Sequence, residues 1–98
     1  MNGMWRDKST ASLSGVSQTL APLNGSRVGL IVQNTGNANV GVNITGGTAA
    51  IGGVGTITLP PPAATGTTSL LIFTGDGTPQ GAINVIGTGG QPCACLEL

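Results

Sequence analysis

Few residues in this chain are equipped to do chemistry. Six side chains carry a formal charge (Arg6, Asp7, Lys8, Arg27, Asp76 and Glu97), and histidine is absent from all 98 residues. Without histidine the usual general base near neutral pH is missing, and no Ser-His-Asp arrangement can be assembled. Three scattered acids make neither a carboxylate pair nor a metal cage. Three bases are too few to neutralise a run of phosphates, so a nucleic-acid partner is not expected. The 18 glycines form no G-x-G-x-x-G or G-x-x-x-x-G-K-[ST] phosphate cradle and read as turns and bulges. The expectation is a chain that is not an enzyme and uses no cofactor or metal.

Cys93 and Cys95 are the remaining reactive groups. In the extended run CACLEL, period two puts Cys93, Cys95 and Glu97 on one side and Ala94, Leu96 and Leu98 on the other. A charge on the thiol side marks that side as wet or as meeting a partner. The competing reading is a buried, reduced pair, because free cysteine is among the most buried residue types. A direct Cys93–Cys95 bridge is disfavoured. Residues i and i+2 of a strand lie about 6.5–7 Å apart and their Cβ vectors are parallel. Oxidation is therefore expected to join Cys93 or Cys95 to another chain. Two thiolates without further Cys or His do not close a zinc site.

The N-terminal stretch MNGMWRDKSTASLSG holds half of the charges and the single tryptophan, with no sustained period. Residues 1–15 are expected to form an extended arm, with Met4, Trp5 and Arg6 as docking candidates. Trp5 would fill a partner's pocket, as aromatic hot-spot residues do, or fold back on its own domain. An arm of this kind orders only on its partner, so deleting residues 1–10 should leave the domain's melting unchanged.

The elements that would carry these residues are strands. VSQTL at 16–20 alternates apolar and polar as a short strand would, Val28, Leu30 and Val32 share one face of RVGLIVQ at 27–33, and Val40, Val42 and Ile44 share one face of VGVNI at 40–44. NTGNAN between the last two predicts a hairpin with a longer loop. TITL at 56–59 ends at Pro60-Pro61-Pro62. SLLIFT at 69–74 is a continuous apolar run of strand length, the pattern of a strand covered on both faces. AINVIG and CACLEL follow, each set off by Gly, Asp or Pro turns. The predicted class is all-β, a small β-sandwich of about seven short antiparallel strands over residues 16–98. A trimeric β-solenoid competes with it but lacks a fixed repeat. One Trp, one Phe and no Tyr leave the core to aliphatic side chains. The start of the chain has no apolar leader, and the apolar run LLIF is too short to span a bilayer. Synthesis in the cytosol, with no membrane partner, is the expectation.

Three segments, taken in order and spacing, resemble a family of small tailed-bacteriophage virion proteins. RVGLIVQNTGNANVGVNI at 27–44 has an arginine, an apolar strand ending in Gln-Asn, a Gly/Asn loop and an alternating strand. GGTAAIGGVGTITLPPPA at 46–63 is a glycine-rich link into a strand closed by prolines. GAINVIGTGGQPCACLEL at 81–98 carries a Gly-Ala-Ile-Asn-Val-Ile-Gly run and a last strand. The resemblance covers more than half of the chain. It implies a β-sandwich and a head decoration (cement) protein binding the outer surface of a capsid lattice. The implied partners are the major capsid protein or another virion structural protein, together with copies of itself. A neck, collar or tail component is the nearest alternative, and a carbohydrate-binding or adhesive module lies further off. The family offers no catalytic residues. Cys93-Ala94-Cys95 and the triple proline depart from its pattern.

Overall fold

Leu30 and Val32 project to one side of one strand, Val40 and Val42 to one side of another. All four are fully buried in the computed structural model, which describes residues 4–62 and 69–98. The strands are β1 (Arg6–Asp7), β2 (Gln18–Ala21), β3 (Gly29–Asn34), β4 (Val40–Asn43), β5 (Thr56–Leu59), β6 (Leu70–Thr74), β7 (Ile83–Ile86) and β8 (Cys93–Glu97). A 3-10 turn spans Gly75–Gly77. The strands form two four-stranded antiparallel sheets, ordered β1-β8-β3-β6 and β2-β7-β4-β5. Their facing sides bury Leu20, Leu59, Ile83 and Val85 with the four residues above, and Leu71 and Phe73 pack at the margin. The all-β sandwich is as expected, with eight strands instead of seven.

The additional strand corrects the N-terminal arm. Lys8 N–H donates to Cys95 O at 2.8 Å, Thr10 and Cys93 exchange two bonds of 2.9 Å, and Leu13 N–H donates to Gln91 O at 2.7 Å. Residues 6–13 therefore run along β8 as an edge of the first sheet. Leu13 is buried in the core, and a Cβ on Gly87 would stand 2.5 Å from its Cδ1. Apolar period reports which side chains are buried. It does not report whether the backbone joins a ladder, and here β8 supplies the ladder.

The expected hairpin between residues 27–33 and 40–44 is also corrected. β3 pairs with β6 and β8, whereas β4 pairs with β5 and β7. Residues 35–39 cross from one sheet to the other, so the two strands meet through their side chains across the core. Asn34 holds the crossing. Its buried amide donates to Ala38 O at 2.8 Å and Leu59 O at 2.9 Å, and its Oδ1 accepts from Gly36 N–H and Gln91 Nε2, both at 2.9 Å. Gly36 is required by this packing, since a Cβ there would run into Cγ of Gln91. A glycine- and asparagine-rich loop of this length serves a crossing as readily as a hairpin.

Candidate functional site

Alternation along the first sheet sends one set of side chains to the core and the other outward. The middle of the outward set is apolar, with Asp7 beside Leu96 and with Gln33 and Thr74 towards the strand ends. Leu96 of β8, Ile31 of β3 and Ile72 of β6 are successive cross-strand neighbours in one row. Ile72 is 60% exposed, Leu96 36% exposed and Ile31 half-buried. In the next row Trp5 lies over Gly29, where an added Cβ would stand 2.8 Å from Cη2 of the indole and 2.9 Å from Cβ of Leu98. The glycine is the seat of the ring. Trp5 thus folds back on its own domain, yet remains 39% exposed. Together these residues form a contiguous apolar face with an aromatic at one end, the kind of surface that marks an interaction site.

The outward face of the second sheet is chemically different. Thr19 Oγ1 donates to Asn84 Oδ1 at 2.8 Å, and Asn84 Nδ2 donates to Gly47 O at 2.7 Å. The carboxamide oxygen of buried Asn43 accepts from Thr45 N–H at 2.9 Å, Thr45 Oγ1 at 2.7 Å and Gly47 N–H at 3.2 Å. This folds the glycine-rich link onto its own sheet, and Ile51 approaches Gly41 there. One face is apolar and open; the other is polar and largely closed by its own loop.

The charges gather at one end of the sandwich, on the core side of β8. Arg27 is fully buried and its Nε donates to Glu97 Oε2 at 2.8 Å. Its Nη1 donates to Pro79 O at 2.8 Å and Gly81 O at 2.9 Å, and its Nη2 to Pro22 O at 2.7 Å. Glu97 Oε1 meets Arg6 Nε at 3.5 Å and Lys8 Nζ at 3.9 Å. Burial alone would raise the Glu97 carboxyl. The hydrogen bond and charge of Arg27, with the charge of Lys8, outweigh it and hold the group below its ordinary range. Every base in the chain therefore converges on one carboxylate, and this cluster ties the approach to β3 to the approach to β7, the exit of β2 and the end of β8.

The docking candidates are consequently divided. Arg6 turns towards Glu97, Trp5 lies on the opposite, outward face, and Met4 is exposed beside them. They do not form one site. The apolar row is a component that the sequence concealed, because Ile31, Ile72 and Leu96 lie on three separated segments. Arg27 was likewise unannounced, an isolated arginine with its partner 70 positions away.

Cys93 and Cys95 require a correction. They share a side with Glu97 as the alternation implies, but that side is the core. The thiols are 1% and 0% exposed, and both are free. The charge that marked the side as wet is itself buried and paired with Arg27. Burial pushes Cys93 up to about 11 and Cys95 up to about 12. A bond to a neighbouring chain would need the sandwich to open first. Iodoacetamide at pH 8 is expected to leave both thiols unmodified in the folded protein and to label both in urea. Rapid labelling of the folded protein would contradict their burial.

Among the described residues, no three His, Cys, Asp or Glu side chains gather as a metal site, and no helix is long and apolar enough to cross a membrane. Comparison with protein-family models, curated proteins and solved structures finds no match to the chain.

Proposed function

We propose that this chain is a non-enzymatic structural protein of a bacteriophage virion, a decoration protein that binds the outer surface of the capsid lattice and stabilises it. The observation that carries the binding role is the open apolar face formed by Trp5, Ile31, Ile72 and Leu96, on a domain whose other sheet face is polar. A freely diffusing domain of this size normally carries more charge for solubility, and a chain with 6% charged residues suits one packed against a larger assembly. The virion setting is supported by the resemblance of the three segments, which also names the major capsid protein as the partner class. The face sits on paired strands, and little ordering entropy is lost when a preformed surface of this kind docks.

The test is co-sedimentation of the purified protein with shells assembled from the major capsid protein, and separately with tail assemblies. Leu96→Lys and Ile31→Lys each place an ammonium in the apolar row. Each is expected to weaken shell binding at least about tenfold, the equivalent of one lost buried aliphatic side chain, while leaving melting nearly unchanged. Equal binding by native and substituted proteins would overturn the assignment of this face. Binding to tail assemblies alone would move the protein to the neck or tail. Binding to a glycan array without either assembly would favour an adhesive module.

A further inference from the structure

Four strands of the sandwich are edges: β1 and β6 in the first sheet, β2 and β5 in the second. Proteins guard exposed edges against pairing with other chains by charge, proline, irregularity or brevity. Three of these edges carry such guards. β1 is two residues long, both charged, and Lys8 follows it. β2 shifts register between Thr19 and Ala21 and runs into Pro22. β5 starts after Gly55, which has a left-handed φ of 74°, and ends at Pro60-Pro61-Pro62. β6 is interrupted only beyond its last residue, where Gly75 has a left-handed φ of 72° and opens the 3-10 turn. Its five residues LLIFT are uncharged, free of proline and in unbroken register with β3.

The ladder shows which backbone groups face outward. Asn34 N–H donates to Ser69 O at 3.0 Å, and Gly75 N–H donates to Val28 O at 2.9 Å. Odd-numbered residues therefore bond to β3, and alternation turns the N–H and C=O of Leu70, Ile72 and Thr74 away from it. Among the described residues no strand pairs on that side. Thr74 is still extended, at φ −141° and ψ 150°, so the strand is competent to pair along its whole length.

We propose that β6 pairs antiparallel with β6 of a second copy about a two-fold axis through Ile72, joining the two first sheets into one continuous sheet. In that register Ile72 stands opposite Ile72 of the other copy and Leu70 opposite Thr74, each pair exchanging two backbone hydrogen bonds. Leu71 falls opposite Phe73 on the core side, where both are only half-buried in the single chain. Residues 69–74 carry no charge, so nothing repels at the axis. An isologous contact needs this self-complementarity, and a second copy supplies it without any further partner. The same strand reads in sequence as covered on both faces. Within one chain it is an edge and its central side chain is open.

Pairing also aligns the row Leu96–Ile31–Ile72 with its symmetry counterpart. The apolar face then runs across six strands, about 24 Å at the usual strand spacing. The pairing itself does not depend on the virion reading. A dimer that ignores shells would leave the pairing standing and remove the docking role, and a monomer that binds shells would do the reverse.

Sedimentation velocity of the purified full chain measures the mass, and backbone amide hydrogen exchange reads the edge directly. The native protein is expected to sediment at twice 9.5 kDa. Leu70, Ile72 and Thr74 amides should be protected. Ile72→Lys sets two ammoniums on the axis at an already exposed side chain, and Ile72→Pro removes an N–H that β3 does not use. Each should weaken dimerisation at least a hundredfold, while Ile57→Lys on the β5 edge leaves it unchanged. A native protein that is monomeric at roughly 100 µM, where even a modest affinity fills the contact, would overturn the proposal. So would a dimer that persists in both Ile72 variants, or free exchange of those three amides in the native protein. The exchange result stands even if a variant fails to fold.

Discussion

Arg27→Ala is expected to cost this domain about 3–5 kcal/mol, a large part of the roughly 5–15 kcal/mol that holds a typical domain together. The substitution leaves Glu97 buried without its closest partner and strips hydrogen bonds from the carbonyls of Pro22, Pro79 and Gly81. Arg6 and Lys8, at 3.5 and 3.9 Å, approach only the other carboxylate oxygen and are partly exposed, so they replace little of it. Replacing both partners, Arg27→Met with Glu97→Leu, should cost less than the two single changes added together, because no lone charge is left inside.

The same pair sets an acid limit on stability. The Glu97 carboxyl is held below its ordinary value in the folded protein, and an unfolded glutamate titrates at about 4.3. Its contribution is therefore complete above about pH 4.3 and is lost as pH falls through the lower folded value. Urea unfolding at pH 7 and pH 3 checks both statements. The gap between native protein and Glu97→Gln should narrow at pH 3, and an Arg27→Ala midpoint equal to the native one would refute the role of the cluster.

Deleting residues 1–13 is expected to lower the melting temperature by at least about 8 °C. Loss of Leu13 alone opens a core space of the kind that costs about 2–5 kcal/mol, and a domain of this size loses about 4–8 °C for each kcal/mol. The deletion also removes the backbone partners of Cys93, Cys95 and Gln91 and turns β8 into an edge. Faster alkylation of both thiols should accompany the lower melting temperature. Calorimetry of native and truncated protein decides the matter: unchanged melting is what a detached arm would give, and it would contradict the ladder along β8.

Strand positions were legible because alternation is a local property. TITL, AINVIG and CACLEL each declare a strand by themselves, and the structure places β5, β7 and β8 within a residue or so of those segments. The side of β8 shared by both thiols and Glu97 was equally legible. Its meaning was not. A carboxylate marks a wet surface unless a buried cation meets it, and that cation lies 70 positions earlier in the chain. Ile31, Ile72 and Leu96 in turn each look like an ordinary strand residue. They become one face only because β3, β6 and β8 are neighbours in a sheet.

Composition and short-range pattern by themselves determined an all-β chain of short strands separated by Gly, Asn and Pro turns, with an aliphatic core and very few ionisable groups. These follow from side-chain chemistry and the two-residue period of an extended backbone, neither of which needs a distant partner. Tertiary structure alone decided that residues 35–39 cross between sheets, that residues 6–13 join β8, and that the cysteine side is the core. It also decided that β6 is an edge. Each of those outcomes depends on which backbone hydrogen-bonds to which, and on which charge meets its counterpart, across long stretches of chain where no local period carries information.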